Sequence, residues 1–444
     1  MSALTLDQIR DCLESFTPGM LATCDENGVP NVSLLSQAHY VDPDHLALSY
    51  QFFNKTRANV LATRTAALML NDPVSVAKYR LEIDYRETLE SGPLFEVMKA
   101  KLAGIASHTG MDGVFRLLGA DIYRVRAITA IPGPVLESRP APRSLLSATR
   151  RTFSEIGRIG DLSQLLDATL DSLARNFGIR HGMLLLYDSD DAKLITVATR
   201  GYAASGIGSE VSLGQGVIGV AAQERVPIRI AHVTADYSYS LSIRACAASD
   251  WAAATEIPFP GLKAPGSQLA LPILAGDRLI GVLFVESPEP LQFWFDDEDA
   301  LALVAERLGG LIADCQRSDG PAAVTRSEPR PCETAAPVVL RYYPADSSVF
   351  IGHDYLIKGV AGAILWRIAG EMLRTGRTEF TNRELRLDPA LRLPDHAENL
   401  EARLILLQRR LCERDWPLGI ERTGRGRFRL VVASELALEE VGPD

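Results

Sequence analysis

One stretch organises this sequence: residues 49–60 read S-Y-Q-F-F-N-K-T-R-A-N-V. It follows an apolar run that is typical of a strand, and it leads into a helical pattern at Val60 and Leu61 that continues over residues 66–70. The predicted strand-to-helix junction carries four polar residues, Lys55, Thr56, Arg57 and Asn59. Unpaired backbone N–H groups and the helix dipole favour an anion at such a junction. Two cations and two neutral donors suit a phosphate monoester. A solvated turn with two ordinary surface cations is the alternative.

Two hairpins are predicted upstream of this junction. The first pairs a strand over residues 19–24 with one over residues 30–37, and the turn between them ends in Asn-Gly. The second turns at residues 42–44. The N-terminal region combines a short N-terminal helix, the motif M-L-A-T-C-D-E-N-G-V-P-N-V-S and the motif N-K-T-R-A-N-V. Together these three features resemble the FMN-binding split barrel of pyridoxamine 5′-phosphate oxidase-like proteins. The resemblance covers residues 1–135.

That resemblance implies a cofactor site. The phosphate of FMN would be held by Lys55, Thr56, Arg57 and Asn59. The second strand would line the flavin ring through Ser33, Leu34, Leu35 and Ser36. Split barrels of this type share the site between two protomers, so a homodimer is implied. Relatives use haem or no cofactor, which remain the alternatives to FMN. The histidines nearest the hairpins, His39 and His45, are interpreted as structural, and no metal site is predicted.

Composition limits the class of protein. The chain has 444 residues, of which 47% are hydrophobic and 23% charged, as in ordinary globular proteins of several domains. The net charge is −10, so any nucleic-acid surface would have to be local. No apolar run is long enough to span a membrane, and no secretion signal is evident. Six scattered cysteines without a C-x-x-C pair favour reduced thiols, and a cytoplasmic location is predicted.

Two proline-rich breaks, at residues 131–134 and 138–142, predict a linker over residues 136–144. Three motifs follow these breaks and read G-Q-G-V-I-G-V-A, L-A-L-P-I-L-A-G-D-R-L-I-G-V-L-F-V-E-S and F-D-D-E-D-A-L-A-L-V-A-E. Together they resemble those of a GAF domain over residues 145–317. The resemblance implies a small-molecule sensor built on an antiparallel sheet with flanking helices. The glycines at 214, 216 and 219 also spell a dinucleotide motif, but no βαβ unit surrounds them and we reject that interpretation.

An irregular segment over residues 236–266 contains several aromatic residues. Tyr237, Tyr239 and Trp251 are the predicted lining of a pocket for a small-molecule effector. Two alternatives remain open. The aromatic residues could instead hold a long loop on the surface, and the domain could serve only for dimerisation.

A polar, proline-rich linker is predicted over residues 318–337. Beyond it, three short strands, three helices and a Gly/Arg hairpin resemble an OmpR-like winged helix over residues 338–435. In that family the third helix enters the major groove and the hairpin contacts phosphates. The candidate contacts with duplex DNA are Asn399, Arg403, Arg409, Arg422, Arg425 and Arg427. From residue 377 to residue 429 there are twelve Arg against nine Asp and Glu.

The third helix fits this interpretation less well than the hairpin. Its outward positions hold Ile405 and Leu406, where related DNA-binding helices commonly place cations. A winged helix adapted for protein contact is therefore the alternative.

The sequence predicts a multidomain α+β protein with a split β-barrel, a GAF antiparallel sheet with flanking helices and a C-terminal winged helix. The predicted function is a cytoplasmic ligand- or redox-sensing transcriptional regulator. An FMN-dependent oxidoreductase with regulatory domains is the first alternative, although no catalytic side chain stands out. A signalling scaffold without DNA contact is the second.

Overall fold

The computed structural model describes residues 4–13, 19–35, 38–50, 54–108, 117–135, 144–189, 191–231, 257–317, 338–391, 400–414, 416–424 and 426–441. Within these residues the strands form four sheets of seven, six, four and three strands. The first sheet belongs to an N-terminal domain, the second to a central domain, and the last two to a C-terminal domain. The observed class is multidomain α+β.

The N-terminal domain is an antiparallel sheet with the strand order β2-β1-β5-β6-β7-β4-β3. Its strands are β1 (Gly19–Cys24), β2 (Pro30–Leu35), β3 (Ala38–Asp42), β4 (His45–Tyr50), β5 (Thr65–Asn71), β6 (Lys78–Leu89) and β7 (Gly119–Ile131). A 3₁₀ helix, Asp7–Cys12, precedes them. The predicted turn between β1 and β2 forms because Asp25 Oδ1 accepts the N–H groups of Asn27 and Val29 at 2.9 and 2.8 Å. Gly28 there has φ of 78°.

Two helices belong to this domain. Helix α1 (Asn54–Thr63) follows β4 and lies against β1 and β2, at the predicted strand-to-helix junction. The predicted helical pattern over residues 66–70 is wrong, because these residues belong to β5, whose side chains alternate between buried and half-buried as in a strand. Helix α2 (Pro93–His108) is inserted between β6 and β7, where the sequence analysis predicted no element. Its buried Phe95, Met98 and Leu102 pack on β4 and β7 of the barrel sheet.

The central domain is an antiparallel sheet with the order β10-β9-β8-β13-β12-β11. Its strands are β8 (His181–Asp188), β9 (Lys193–Arg200), β10 (Glu210–Ser212), β11 (Ile228–Ile230), β12 (Ser267–Ala275) and β13 (Arg278–Ser287). Its helices are α3 (Leu145–Ile156), α4 (Leu162–Ser172), α5 (Gly216–Glu224) and α6 (Phe295–Arg317). Helices α3, α4 and α6 cover one face and bury the largest apolar cluster, whereas α5 covers the other face.

The C-terminal domain begins with a sheet of order β16-β15-β14-β20 and ends in a sheet of order β17-β19-β18. The strands are β14 (Val338–Tyr343), β15 (Ser348–Ile351), β16 (Asp354–Ile357), β17 (Glu379–Thr381), β18 (Leu418–Gly424), β19 (Arg427–Val432) and β20 (Leu436–Glu440). The helices are α7 (Gly359–Thr375), α8 (Asn382–Arg386) and α9 (Leu400–Cys412), with a 3₁₀ turn at Pro389–Leu391. The sequence analysis predicted the first three strands, the three helices and the hairpin, but it predicted neither β17, which pairs with β19, nor β20, which pairs in parallel with β14.

The three domains pack on one another. Helix α2 of the N-terminal domain lies against α5 and β11 of the central domain. A Cβ at Gly104 would lie 2.6 Å from Ile228 Cγ2, so the backbone of α2 lies close to the Ile228 side chain. On the other side of the molecule, α9 packs against α4 and β9. Helices α2 and α9 therefore take part in the contacts between the domains.

Candidate functional site

The polar residues of the N-terminal domain meet where α1 begins. The Thr56 hydroxyl donates to Ser33 Oγ at 3.2 Å and accepts from Asn31 Nδ2 at 2.8 Å. The structure thus brings together the start of α1 and strand β2, two segments that the sequence analysis had assigned to one site. Asn59 is buried, and its amide donates to Thr23 Oγ1 at 3.2 Å. Thr56 and Asn59 fasten α1 to the sheet.

Arg57 is held inside the same domain. Its Nη1 lies 2.8 and 3.1 Å from the two carboxylate oxygens of Asp121 on β7. Its Nη2 donates to Thr88 Oγ1 at 3.2 Å, and its guanidinium lies 4.0 Å above the centre of the Tyr50 ring. Desolvation opposes the charged guanidinium, but the hydrogen bond and charge of Asp121 outweigh it and raise the pKa of Arg57. The charge of Arg57 is therefore largely balanced within the protein.

The exposed part of the site is made by Lys55 and by strand β2. Lys55 is exposed at the start of α1. On β2, Leu34 and Val32 are 64% and 63% exposed, whereas Leu35 is buried. Met20, the cross-strand partner of Leu34, is 42% exposed. Side chains alternate along a strand, so Val32 and Leu34 are on the face of β2 opposite to Ser33, which contacts Thr56 on α1. Ser36 lies outside the described residues.

The central domain contains a buried carboxyl group that the sequence analysis missed. Glu286, near the end of β13, is 1% exposed. Its Oε1 accepts the Leu262 N–H at 2.8 Å, and its Oε2 accepts from Gln268 Nε2 at 3.1 Å. The Tyr202 hydroxyl also faces this carboxyl group, and the Tyr202 ring lies 5.8 Å from that of His181. Burial raises the pKa of Glu286 above its ordinary value, despite these hydrogen bonds.

The raised pKa of Glu286 has a consequence for stability. Between the unfolded pKa, about 4.3, and the higher folded pKa, the folded protein binds more protons than the unfolded chain. The stability of the central domain should therefore fall as the pH rises through this range, by about 1.4 kcal/mol for each pH unit that separates the two pKa values. Glu286→Gln should remove this fall. Thermal unfolding at a series of pH values measures it, and an unchanged pH dependence in the variant would contradict the assignment.

The predicted pocket residues Tyr237, Tyr239 and Trp251 lie outside the described residues. The polar cluster around Glu286 lies on the same face of the sheet as Phe284 and α5. It could have been suspected from the sequence because Glu286 interrupts the apolar end of a predicted strand. A second polar feature is a cavity of about 210 Å³ between the central and C-terminal domains. Its lining includes Lys193 and Lys358, both of which pair with Glu210, at 2.7 and 3.4 Å.

The candidate DNA-binding arginines divide into two groups. Arg403, Arg409 and Arg422 all contact the central domain. Arg403 Nη2 lies 3.0 Å from both oxygens of Asp188, Arg409 Nη2 lies 2.8 Å from Asp167 Oδ1, and Arg422 pairs with Asp161. Arg427, on the hairpin, is exposed. Asn399 and Arg425 lie outside the described residues.

In the described part of the chain, no group of three or more His, Cys, Asp or Glu side chains is arranged to bind a metal ion. Of the helices that the structure describes, none has an apolar stretch long enough to cross a membrane.

Comparison with known families agrees with two of the three domains. Residues 5–125 match the family model of pyridoxamine 5′-phosphate oxidase, and residues 160–314 match that of the GAF domain. The chain therefore contains a pyridoxamine 5′-phosphate oxidase-like N-terminal domain and a GAF domain. Neither match extends into the C-terminal domain, so the winged helix stays a prediction. None of the curated proteins matches the chain.

Several solved structures resemble parts of the chain. A GAF domain from an Acinetobacter phosphoenolpyruvate-protein phosphotransferase is 22% identical, with a TM-score of 0.31, and covers 38% of this chain and 92% of its own. Free methionine-R-sulfoxide reductase from Neisseria meningitidis is 18% identical, with a TM-score of 0.31, over 41% of this chain and 98% of its own. An FMN-binding protein from Syntrophomonas wolfei subsp. wolfei is 19% identical, with a TM-score of 0.22, over 26% and 77%.

Proposed function

We propose that this protein is a cytoplasmic, ligand- or redox-responsive transcriptional regulator. In this proposal the N-terminal and GAF domains bind small molecules and control a C-terminal winged helix that binds duplex DNA. The order of strands, helices and terminal hairpin in the C-terminal domain supports a winged helix. No disulfide joins the cysteines that the structure describes, which is typical of a reducing compartment.

One observation carries the regulatory part of the proposal. Helix α9, the third helix of the proposed winged helix, is shared between two apolar cores. Leu404 and Leu407 pack in the core of the C-terminal domain, whereas Ala402 and Ile405 pack in that of the GAF domain. A change in the GAF domain would therefore act directly on the helix that is proposed to read DNA.

The barrel would hold FMN through the residues that meet at the start of α1. Lys55 would be the main cation for the phosphate, because the charge of Arg57 is balanced by Asp121. Backbone N–H groups in the first turn of α1 would add to it. Ser33, on the face of β2 that contacts Thr56, would face the flavin, whereas Leu34 and Val32 are exposed on the opposite face. When bound, the flavin supplies hydride or electron transfer, which would make the protein responsive to redox state.

A homodimer is part of the same proposal. Met20, Val32 and Leu34 are exposed apolar side chains on one face of β1 and β2. An apolar strip of this kind commonly marks an interface, and a second copy of the chain would cover it. The cofactor would then lie between two protomers.

The GAF domain would bind a small polar effector beside Glu286. Burial raises the pKa of this carboxyl group, so it holds its proton to a higher pH than an exposed glutamate does. Phe284 and Phe259, whose ring centres are 6.4 Å apart, provide apolar surface nearby.

DNA binding tests the proposed function. The purified protein, in flavin-loaded and flavin-free forms, should be compared for binding to duplex DNA from its own upstream region. Binding in one of the two forms, weakening as salt rises, is the expected result. The regulator function would be rejected if neither form binds DNA and a variant whose α9 is released from the GAF domain does not bind it either.

A scaffold without DNA contact is the second candidate. The observation that favours it is the apolar outward face of α9, which contains Ala402 and Ile405. Under this function, α9 would remain on the GAF domain in every state. Release of α9 on addition of an effector would therefore exclude the scaffold.

A further inference from the structure

We propose that an acidic surface of the GAF domain is a docking site for the C-terminal domain of the same chain. Docking makes the arginine surface, which consists of Arg403, Arg409 and Arg422, unavailable to nucleic acid. The acidic surface is made by Asp161, Asp167 and Asp188. Its blocking role rests on the proposed function, since it matters only if the arginines bind phosphates when they are released. The docking itself does not depend on that function.

The centre of the contact is a buried ion pair. Arg403 and Asp188 are 6% and 7% exposed, and Arg403 Nη2 lies 3.0 Å from each carboxylate oxygen. The two residues are 215 positions apart in the chain and belong to different domains. A buried charge that loses its partner is strongly unfavourable. The pair therefore favours one placement of α9, because Arg403 reaches both oxygens of Asp188 only in this position.

Two further arginines extend the contact along α4. Arg409 Nη1 donates to the Val197 carbonyl at 2.9 Å, and Arg409 Nη2 donates to the Ser163 carbonyl at 3.1 Å. Arg422, on the hairpin strand β18, pairs with Asp161 and also lies 3.2 Å from Glu401. Arginine forks bind carboxylates and phosphates with the same geometry. The aspartates thus occupy the groups that phosphates would otherwise contact.

Apolar packing completes the surface. Ile405 is fully buried and Leu406 is 5% exposed. Gly208 of the GAF domain faces Leu406, since a Cβ at this glycine would lie 3.6 Å from Leu406 Cδ1. DNA-binding helices commonly place cations at these two positions, and contact with the GAF domain explains why they are apolar here. They bury apolar surface against the GAF domain in the closed state.

Docking can be measured without any nucleic acid. A site for a specific protease is inserted between residues 318 and 337, the full-length protein is cleaved, and size-exclusion chromatography shows whether the two fragments stay together. The wild-type fragments should co-elute. Asp188→Ala should weaken their association on the order of 10² to 10³-fold, because it leaves Arg403 buried without its partner. Unchanged association would overturn the proposal.

Two variants separate loss of docking from loss of folding. The double variant Asp188→Leu/Arg403→Met replaces the pair with apolar side chains and should restore co-elution, because such replacements are often neutral or stabilising. Asp171→Asn breaks an exposed pair with Arg200 inside the GAF domain and should behave as wild type. If the fragments of the double variant associate as weakly as those of Asp188→Ala, the ion pair does not determine docking in the way proposed.

A second measurement separates docking from the proposed function. Fluorescence anisotropy compares uncleaved wild-type and Asp188→Ala proteins on a 30-base-pair duplex of random sequence. Tighter binding by Asp188→Ala supports the blocking role. If the variant loses docking and gains no affinity, the docking surface stands, whereas DNA binding and the blocking role fail.

Discussion

Replacing Arg57 with alanine is expected to destabilise the N-terminal domain by about 3 kcal/mol, the largest effect we expect in this domain. The substitution leaves the carboxylate of Asp121, which is 6% exposed, without its cation. Thr88 would still donate to Asp121, but a neutral hydroxyl cannot balance the charge. The unfolding transition of the N-terminal domain in urea, followed in the full-length protein, measures the loss.

Lys55→Ala is the matched control for this prediction. Lys55 lies two residues away and is exposed, so the stability should stay within about 0.5 kcal/mol of wild type. The affinity for flavin should change in the opposite order. Lys55→Ala should lower it more than Arg57→Ala does, once the unfolded fraction of Arg57→Ala is taken into account. Equal stability of the two variants would show that the Arg57–Asp121 pair does not support the barrel.

Ile405→Ala is expected to weaken the packing of α9 on the GAF domain by about 2–5 kcal/mol, because it opens a cavity where α9 meets the core of that domain. The side chain is fully buried in the closed state, although it lies on the outward face of the C-terminal domain taken alone. The loss should therefore appear as faster hydrogen exchange in residues 400–412 and as weaker association of the two domains. The fold of the C-terminal domain itself should survive.

Leu373→Ala provides the comparison. Leu373 lies on α7 of the same domain and is 49% exposed, so its truncation should change stability by less than about 0.5 kcal/mol. Exchange in residues 400–412 should then match wild type. Fast exchange in both variants, or in neither, would show that Ile405 has no special part in docking.

Local sequence signals predicted much of the architecture. The Asn-Gly turn after β1, the hairpins and the junction before α1 are set by residues that are close in sequence. Thr381 and Glu384 form a capping box at the start of α8, in which each side chain accepts a hydrogen bond from the other residue's backbone N–H, as the T-x-x-E spacing favours. The proline-rich break near residue 135 likewise precedes the α3 helix of the central domain.

Contacts between distant residues could not be predicted in the same way. Arg57 was assigned to phosphate binding, but its partner Asp121 is 64 residues away and nothing in the local pattern indicates it. Ile405 and Leu406 did signal that α9 has a second apolar face. The sequence could not show that the GAF domain covers this face, because Asp188 and Arg403 meet only in the folded chain. Helix α2 and strand β20 were missed since their partners are also remote.

The salt dependence of DNA binding tests the central claim most directly. The Asp188→Ala protein, in which the arginine surface is released, is titrated with duplex DNA from its own upstream region at a series of salt concentrations, with and without Arg427→Ala. Log affinity should fall linearly with log salt, and Arg427→Ala should flatten the slope by about 0.9 if it removes one phosphate contact. An affinity that is negligible at every salt concentration, or a slope that Arg427→Ala leaves unchanged, would contradict a DNA-binding C-terminal domain.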